Sequence, residues 1–123
     1  MQKEFLPTNS LIQTDAPVDN NGKGELFSPT DLVASGLGTC MLTVMGIYAE
    51  SRNMDLSGSH FHVKKIMTSN PRRISEIKIN MHLPKTLDTD SQEKLKNICQ
   101  HIYERLPMLV VRATQLSVWR RSV

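Results

Sequence analysis

The sequence predicts an α+β domain with an antiparallel or mixed sheet, and three observations carry that prediction. A long apolar stretch at helical spacing, Leu32 to Tyr48, opens on the helix start signal Ser28-Pro29. Two strand-like runs, His60 to Thr68 and Ile74 to Leu83, follow as a block divided by the turn dipeptide Asn70-Pro71. A second helical pattern and a last strand close the chain, so strands and helices are segregated rather than alternating one for one.

Taken in order, residues 9–15 read as a strand, with Lys3 to Leu6 as a further short one. Pro17 to Glu25 is a polar loop whose turn signal is Asn20-Asn21-Gly22. The long helix starts at Ser28, whose hydroxyl accepts from free N–H groups of the first turn. Pro29 suits the first helical position, and Asp31 stands at capping-box spacing. The helix is expected to run to about Asn53. Leu32, Val33, Leu37, Cys40, Met41, Val44, Ile47 and Tyr48 recur every three or four residues, and Leu42 and Met45 widen the stripe, so the helix should be buried over much of its circumference. Ser35, Gly36, Gly38 and Thr39 give it a slim surface. Each helical glycine costs about 1 kcal/mol against alanine, which implies that something packs close to this backbone.

The run from His60 alternates poorly but carries Phe61, Val63 and Ile66. The run from Ile74 alternates well, with Ile77, Ile79, Met81 and Leu83 on one face and Glu76, Lys78, Asn80 and His82 on the other. The two form a predicted hairpin. The second helix begins near Thr89 to Ser91, runs through Leu95, Ile98, Cys99, Ile102 and Leu106, and meets Pro107. A short apolar segment follows at Met108, and Gln115 to Val123 is the last strand.

A length of 123 residues predicts one domain spanning 1–123, small enough for a dimer interface to help it. The net charge of +3 comes without a dominant basic block, and aromatics make up 5% of the chain. That composition argues against a nucleic-acid platform, which stacks bases on rings. No apolar run is expected to reach the length of a membrane span, and the start of the sequence does not read as a secretory leader. Two cysteines without an export signal are expected to be reduced thiols in a cytoplasmic protein.

Cys40 is the leading chemical candidate. A free cysteine in an apolar helix ordinarily behaves as a small hydrophobe, so its surroundings must carry the case. His60-x-His62 puts two imidazoles on one strand face, and His82 on the neighbouring strand stands within reach. No metalloprotein spacing accompanies them, so they are expected to be solvated strand histidines, with no metal site and no cofactor. Met41, Met45, Met54 and Met81 are expected as core filler. There is no Walker loop, and no Ser-His-Asp arrangement can be nominated.

The stretch Ser28-Pro-x-Asp-Leu-x-Ala-x-x-Leu-Gly-x-Cys40, with Tyr48-Ala-Glu50 beyond it, resembles the OsmC/Ohr family, which includes thiol-dependent peroxidases that reduce organic hydroperoxides. The resemblance implies an intertwined homodimer, with sheets from both chains wrapped around two long central helices. The Gly36/Gly38 pair would then let those helices approach closely. The resemblance also implies that Cys40 is the peroxidatic thiol, partnered by a small-molecule hydroperoxide and an external thiol reductant. Leu37, Met41 and Val44 would be an apolar substrate pocket beside it. Three positions depart from the family pattern. Leu106-Pro107 stands where the family has Cys-Pro, Thr30 stands where the peroxidase branches have Glu, and no Arg precedes Arg52. Cys99 is the second thiol, but it lies seven residues before Leu106, roughly 10 Å along a helix. It is therefore not expected to pair with Cys40. The rival expectation is a non-enzymatic module that binds a small hydrophobic ligand in the dimer cavity, with Cys40 only structural.

Overall fold

The structure, a computed structural model, describes the backbone of residues 2–5, 8–105 and 120–121 and the side chains of residues 8–101. Its strands are β1 (Gln2–Phe5), β2 (Leu11–Thr14), β3 (His60–Thr68), β4 (Arg73–Leu83) and β5 (Arg120–Arg121). Its α-helices are α1 (Pro29–Glu50) and α2 (Thr89–Arg105), with a short 3-10 turn at Val18–Asn20. β1 and β2 form an antiparallel pair, while β3, β4 and β5 form a second sheet in that order. β3–β4 is antiparallel and β4–β5 parallel, so the sheet is mixed and the domain is α+β as the sequence predicts. The segment at Met108 and most of the expected last strand lie outside the described residues.

The loop after β2 is closed by its own backbone. The Gly22 and Gly24 N–H groups donate to Pro17 O and Ala16 O at 3.0 and 3.2 Å, and Asp15 N reaches Phe27 O at 3.0 Å. Asn21 takes a left-handed φ of 62°. A Cβ on Gly22 would fall 1.6 Å from the Ala16 carbonyl oxygen, so only glycine fits there.

α1 starts as its sequence dictates. Asp31 N donates to Ser28 Oγ at 3.1 Å and Ser28 N donates to Asp31 Oδ2 at 2.9 Å, a reciprocal capping box with Pro29 at the first helical position. By length and composition this 22-residue helix could cross a membrane, contrary to the expectation from the sequence. Its serines, threonines and glycines interrupt the apolar run without making it polar. In the fold, α1 supplies one stripe of the core: Ala34, Leu37, Gly38, Met41, Met45 and Ala49 are buried. The burial expected around much of the circumference is confined to that stripe. Val33 is 41% and Ile47 64% exposed.

β4 supplies the opposing wall, with Ile74, Ile77, Ile79, Met81 and Leu83 buried. Ile74 and Ile77 share a face despite their odd spacing because the register slips between Ile66 and Met67. Ile66 pairs with Glu76 and Met67 with Ile74, which leaves Ser75 as an extra residue. Its hydroxyl donates to Ile66 O at 3.0 Å and satisfies the bulge. α2 is capped by Asp88, whose carboxylate accepts from Ser91 N at 2.7 Å. A hydrogen bond from the Ser91 side chain, followed by this backbone bond, holds the Asp88 carboxyl below its usual range. α2 adds Leu95 and Cys99 to the core, one turn apart.

The slim helix surface meets two different environments. A Cβ on Gly38 would lie 2.3 Å from the Phe61 ring of β3, so Gly38 makes room for this chain's own sheet rather than for a second helix. Among the described residues, nothing lies within 4 Å of a Cβ built on Gly36.

Candidate active site

Cys40 sits midway along α1 and is half-buried. With 100° per residue, Val33, Gly36, Val44 and Ile47 fall within about 40° of it around the helix. The thiol therefore lies at the centre of a largely apolar, partly exposed face, turned away from the core stripe. Val44 is half-buried beside it. Leu37 and Met41 lie on the same side as Val44 but further round the helix, about 60° and 100° from Cys40; they are 3% and 0% exposed, and their side chains belong to the core cluster. Of the three residues expected around the thiol, the structure thus places Val44 on the Cys40 face and Leu37 and Met41 beneath it.

Cys99 lies in the same cluster as Leu37, Met41, Met45 and Leu95 and is fully buried. Burial pushes its thiol up to about 12, and the nearby Cys40 thiol adds to the shift. Both thiols are free. The two differ in kind, since Cys40 is accessible from one side whereas Cys99 is held neutral inside apolar packing.

Sequence reasoning missed Lys65. Phe61, Val63 and Lys65 share the inner face of β3 by strand alternation, so a lysine points inward from an otherwise apolar row. Its Nζ donates to Ser28 Oγ and Thr30 Oγ1 at 2.6 Å each and pairs with Asp31 Oδ1 at 2.9 Å. Three ammonium hydrogens meet three acceptors. Thr30 is one arm of this lock. For Asp31 burial is the largest influence and pushes its carboxyl up. The Lys65 and Ser28 hydrogen bonds outweigh it and hold the group below its usual range. The lock joins β3 to the start of α1, about 18 Å along the helix from Cys40, so Lys65 does not serve the thiol. Beside it, Ala16, Pro17, Asn20, Pro29 and Arg72 line a cleft of about 240 Å³, also remote from Cys40.

The three histidines that the sequence placed on neighbouring strands do come together. His60 pairs with His82 across β3–β4, and the candidate ligand atoms of His60, His62 and His82 lie within 4.8 Å of one another.

Comparison with known proteins bears on the fold and the family. The family described as OsmC-like protein matches residues 22–115. A Psychrobacter arcticus structure, provisionally named an osmotic stress induced and detoxification response protein, is 38% identical over 94% of this chain and 83% of that one, with a TM-score of 0.79. An organic hydroperoxide resistance protein OsmC from Legionella pneumophila shares the fold at 17% identity and a TM-score of 0.71, covering 95% of this chain and 85% of that one. A Vibrio cholerae protein, named provisionally for organic hydroperoxide resistance and holding captopril in one of its active sites, shares it at 14% identity and 0.70, covering 91% and 79%. No curated protein matches the sequence. With the family signature running through α1, the hairpin and α2, and a relative at 38% identity over nearly its whole length, this chain belongs to the OsmC-like protein family.

Proposed function

We propose that the protein reduces organic hydroperoxides through Cys40, as a homodimer whose second copy covers the Cys40 face of α1. The observation that carries this reading is the contrast between the two thiols: Cys40 is reachable on an apolar face, and Cys99 is sealed in the core. The names of the Legionella and Vibrio structures support the substrate class. In the first step the Cys40 thiolate attacks one peroxide oxygen. An S–O bond forms, the O–O bond breaks, sulfur loses two electrons, and the departing alkoxide takes up a proton to leave as the alcohol. The product is a sulfenic acid. Leu106 stands in place of the family's resolving cysteine, so an external thiol condenses with the sulfenic acid and releases water. A second external thiol then frees Cys40 as the reductant becomes a disulfide. Val33, Val44 and Ile47 beside the thiol favour an apolar alkyl group on the peroxide over hydrogen peroxide itself.

A second reading has its own support. No arginine precedes Arg52, and Lys65 is committed to the α1 cap. With neither of these cations available to the thiol, the site suits passive binding of a small hydrophobic ligand at the dimer cavity. Sulfenic-acid trapping on wild type, Cys40→Ser and Cys99→Ser separates the two. The peroxidase reading expects rapid oxidation of wild type and Cys99→Ser by a bulky organic hydroperoxide, slower oxidation by hydrogen peroxide, and none in Cys40→Ser. Oxidation of Cys40 no faster than a free thiol, with either oxidant, rejects it in favour of the binding module.

A further inference from the structure

We propose that His60, His62 and His82 form a binding site for one divalent late-transition-metal ion of the zinc class, on the outer face of the β3–β4 hairpin and independent of the Cys40 chemistry. Strand geometry supplies the convergence. His60 and His62 are two residues apart and project from the same face of β3, with Phe61 and Val63 pointing the other way into the core. His82 lies directly opposite His60 in the antiparallel register. The His60 and His82 rings stack at 4.6 Å with 6° between their planes, and His62 stands edge-on to both, at 5.7 and 5.3 Å.

The donor chemistry is selective. Three neutral imidazoles are poor ligands for calcium or magnesium, which take oxygen, and lack the thiolates that favour copper(I). They match the three-nitrogen set of an open zinc site whose fourth position is left to water, and His60 and His62 are both exposed enough to admit it. With Zn–N bonds of about 2.0–2.1 Å at tetrahedral angles, ligand nitrogens stand about 3.3 Å apart. The rings reach that spacing from within 4.8 Å by closing about 1.5 Å, a movement open to exposed side chains whose terminal torsion is broad. The outer support is already in place. His60 Nδ1 lies 3.0 Å from Gly58 O, and because a carbonyl only accepts, that bond puts the proton on Nδ1 and leaves the Nε2 lone pair for a metal. Gly58 holds its own φ at +84°, which only glycine adopts without strain, so the turn that presents this carbonyl is fixed by sequence.

The test is titration of the tag-free full chain with Zn²⁺, and with Cu²⁺ in parallel, by calorimetry. NMR of the histidine rings is recorded alongside. The expected result is one Zn²⁺ per chain, with the His60, His62 and His82 resonances perturbed and those of His101 unmoved. Cu²⁺ should bind the same site more tightly, as the usual order of divalent affinities requires. His62→Ala, an exposed position that leaves the core intact, should lower affinity at least tenfold, whereas His101→Ala should not change it. Cys40→Ser should bind as the wild type does. Absence of saturable binding up to millimolar Zn²⁺, unchanged affinity in His62→Ala, or loss of binding in Cys40→Ser would each overturn the proposal. None of these results depends on whether Cys40 reduces peroxides.

Discussion

At the scale of single residues, two side chains carry charge or chemistry into places where the fold must compensate. Lys65 points inward from β3, and its three hydrogens are spent on Ser28, Thr30 and Asp31. Lys65→Met keeps the length of the side chain and removes that lock. It should cost about 1–2 kcal/mol at neutral pH, a loss tempered because Asp31 remains more than a third exposed. The pH dependence follows from the sign of the Asp31 shift. A carboxyl held low in the folded state contributes stability above its unfolded value of about 3.9 and loses it as pH falls through the folded value. Thermal melts below pH 4 should therefore decline less steeply in Lys65→Met than in wild type. Cys99 has the opposite sign. Its thiol is raised from 9.0 to about 12, so its contribution is complete below pH 9 and is lost as pH rises toward 12. Cys99→Ala should flatten that alkaline decline. At pH 8 iodoacetamide should modify Cys40 in the folded protein and reach Cys99 only after denaturation, which mass spectrometry would read as one adduct against two.

At the scale of elements, much of the fold was legible because its signals are local. The Ser28 cap, the strand at His60–Thr68 and the alternation of β4 are all written within a few neighbouring residues. The Ser75 bulge was not legible, since an extra residue shows only when the partner strand is paired against it. Lys65 was missed for a related reason. Its partners lie 34 to 37 residues away, and the only clue was that alternation puts it in line with Phe61 and Val63. The helical glycines show how one signal divides. Gly38→Ala would press a methyl into the Phe61 ring. It should destabilise the fold by about 1–3 kcal/mol from overpacking, less the roughly 1 kcal/mol that alanine gains in a helix, with partial recovery in Gly38→Ala/Phe61→Leu. Gly36 meets nothing among the described residues of its own chain. If its face stayed in water, Gly36→Ala would stabilise by about 1 kcal/mol. The proposed pairing of helices across that face predicts the reverse, a lower urea midpoint, so the sign of one measurement reports what lies against α1.

At the scale of the whole molecule, the proposed site lies on a helix face that the described residues of this chain leave partly uncovered. The core consumes one stripe of α1 and leaves Val33, Val44 and Ile47 around Cys40 partly or largely in solvent, while Phe27, just ahead of the helix, is 57% exposed. The sequence showed that α1 is apolar on too many sides, but not which sides, because periodicity gives the stripe and only packing gives its partner. Light scattering at micromolar concentration should return twice the 13.9 kDa of the chain, and Ile47→Lys should shift it toward one copy. A well-folded monomer would remove the proposed dimer and its cavity together. The spacing of the exposed positions adds a quantitative corollary. Val33, Cys40 and Ile47 recur every seven residues along one line, so in a two-fold pairing the line meets its own copy, and each altered side chain enters the assembly twice. A penalty of about 1 kcal/mol per chain thus becomes about 2 kcal/mol per pair, close to thirtyfold in the association constant. Mutational sensitivity along this line should accordingly grow as the square of the single-chain effect, whereas in the core stripe on the other side of the same helix it should not.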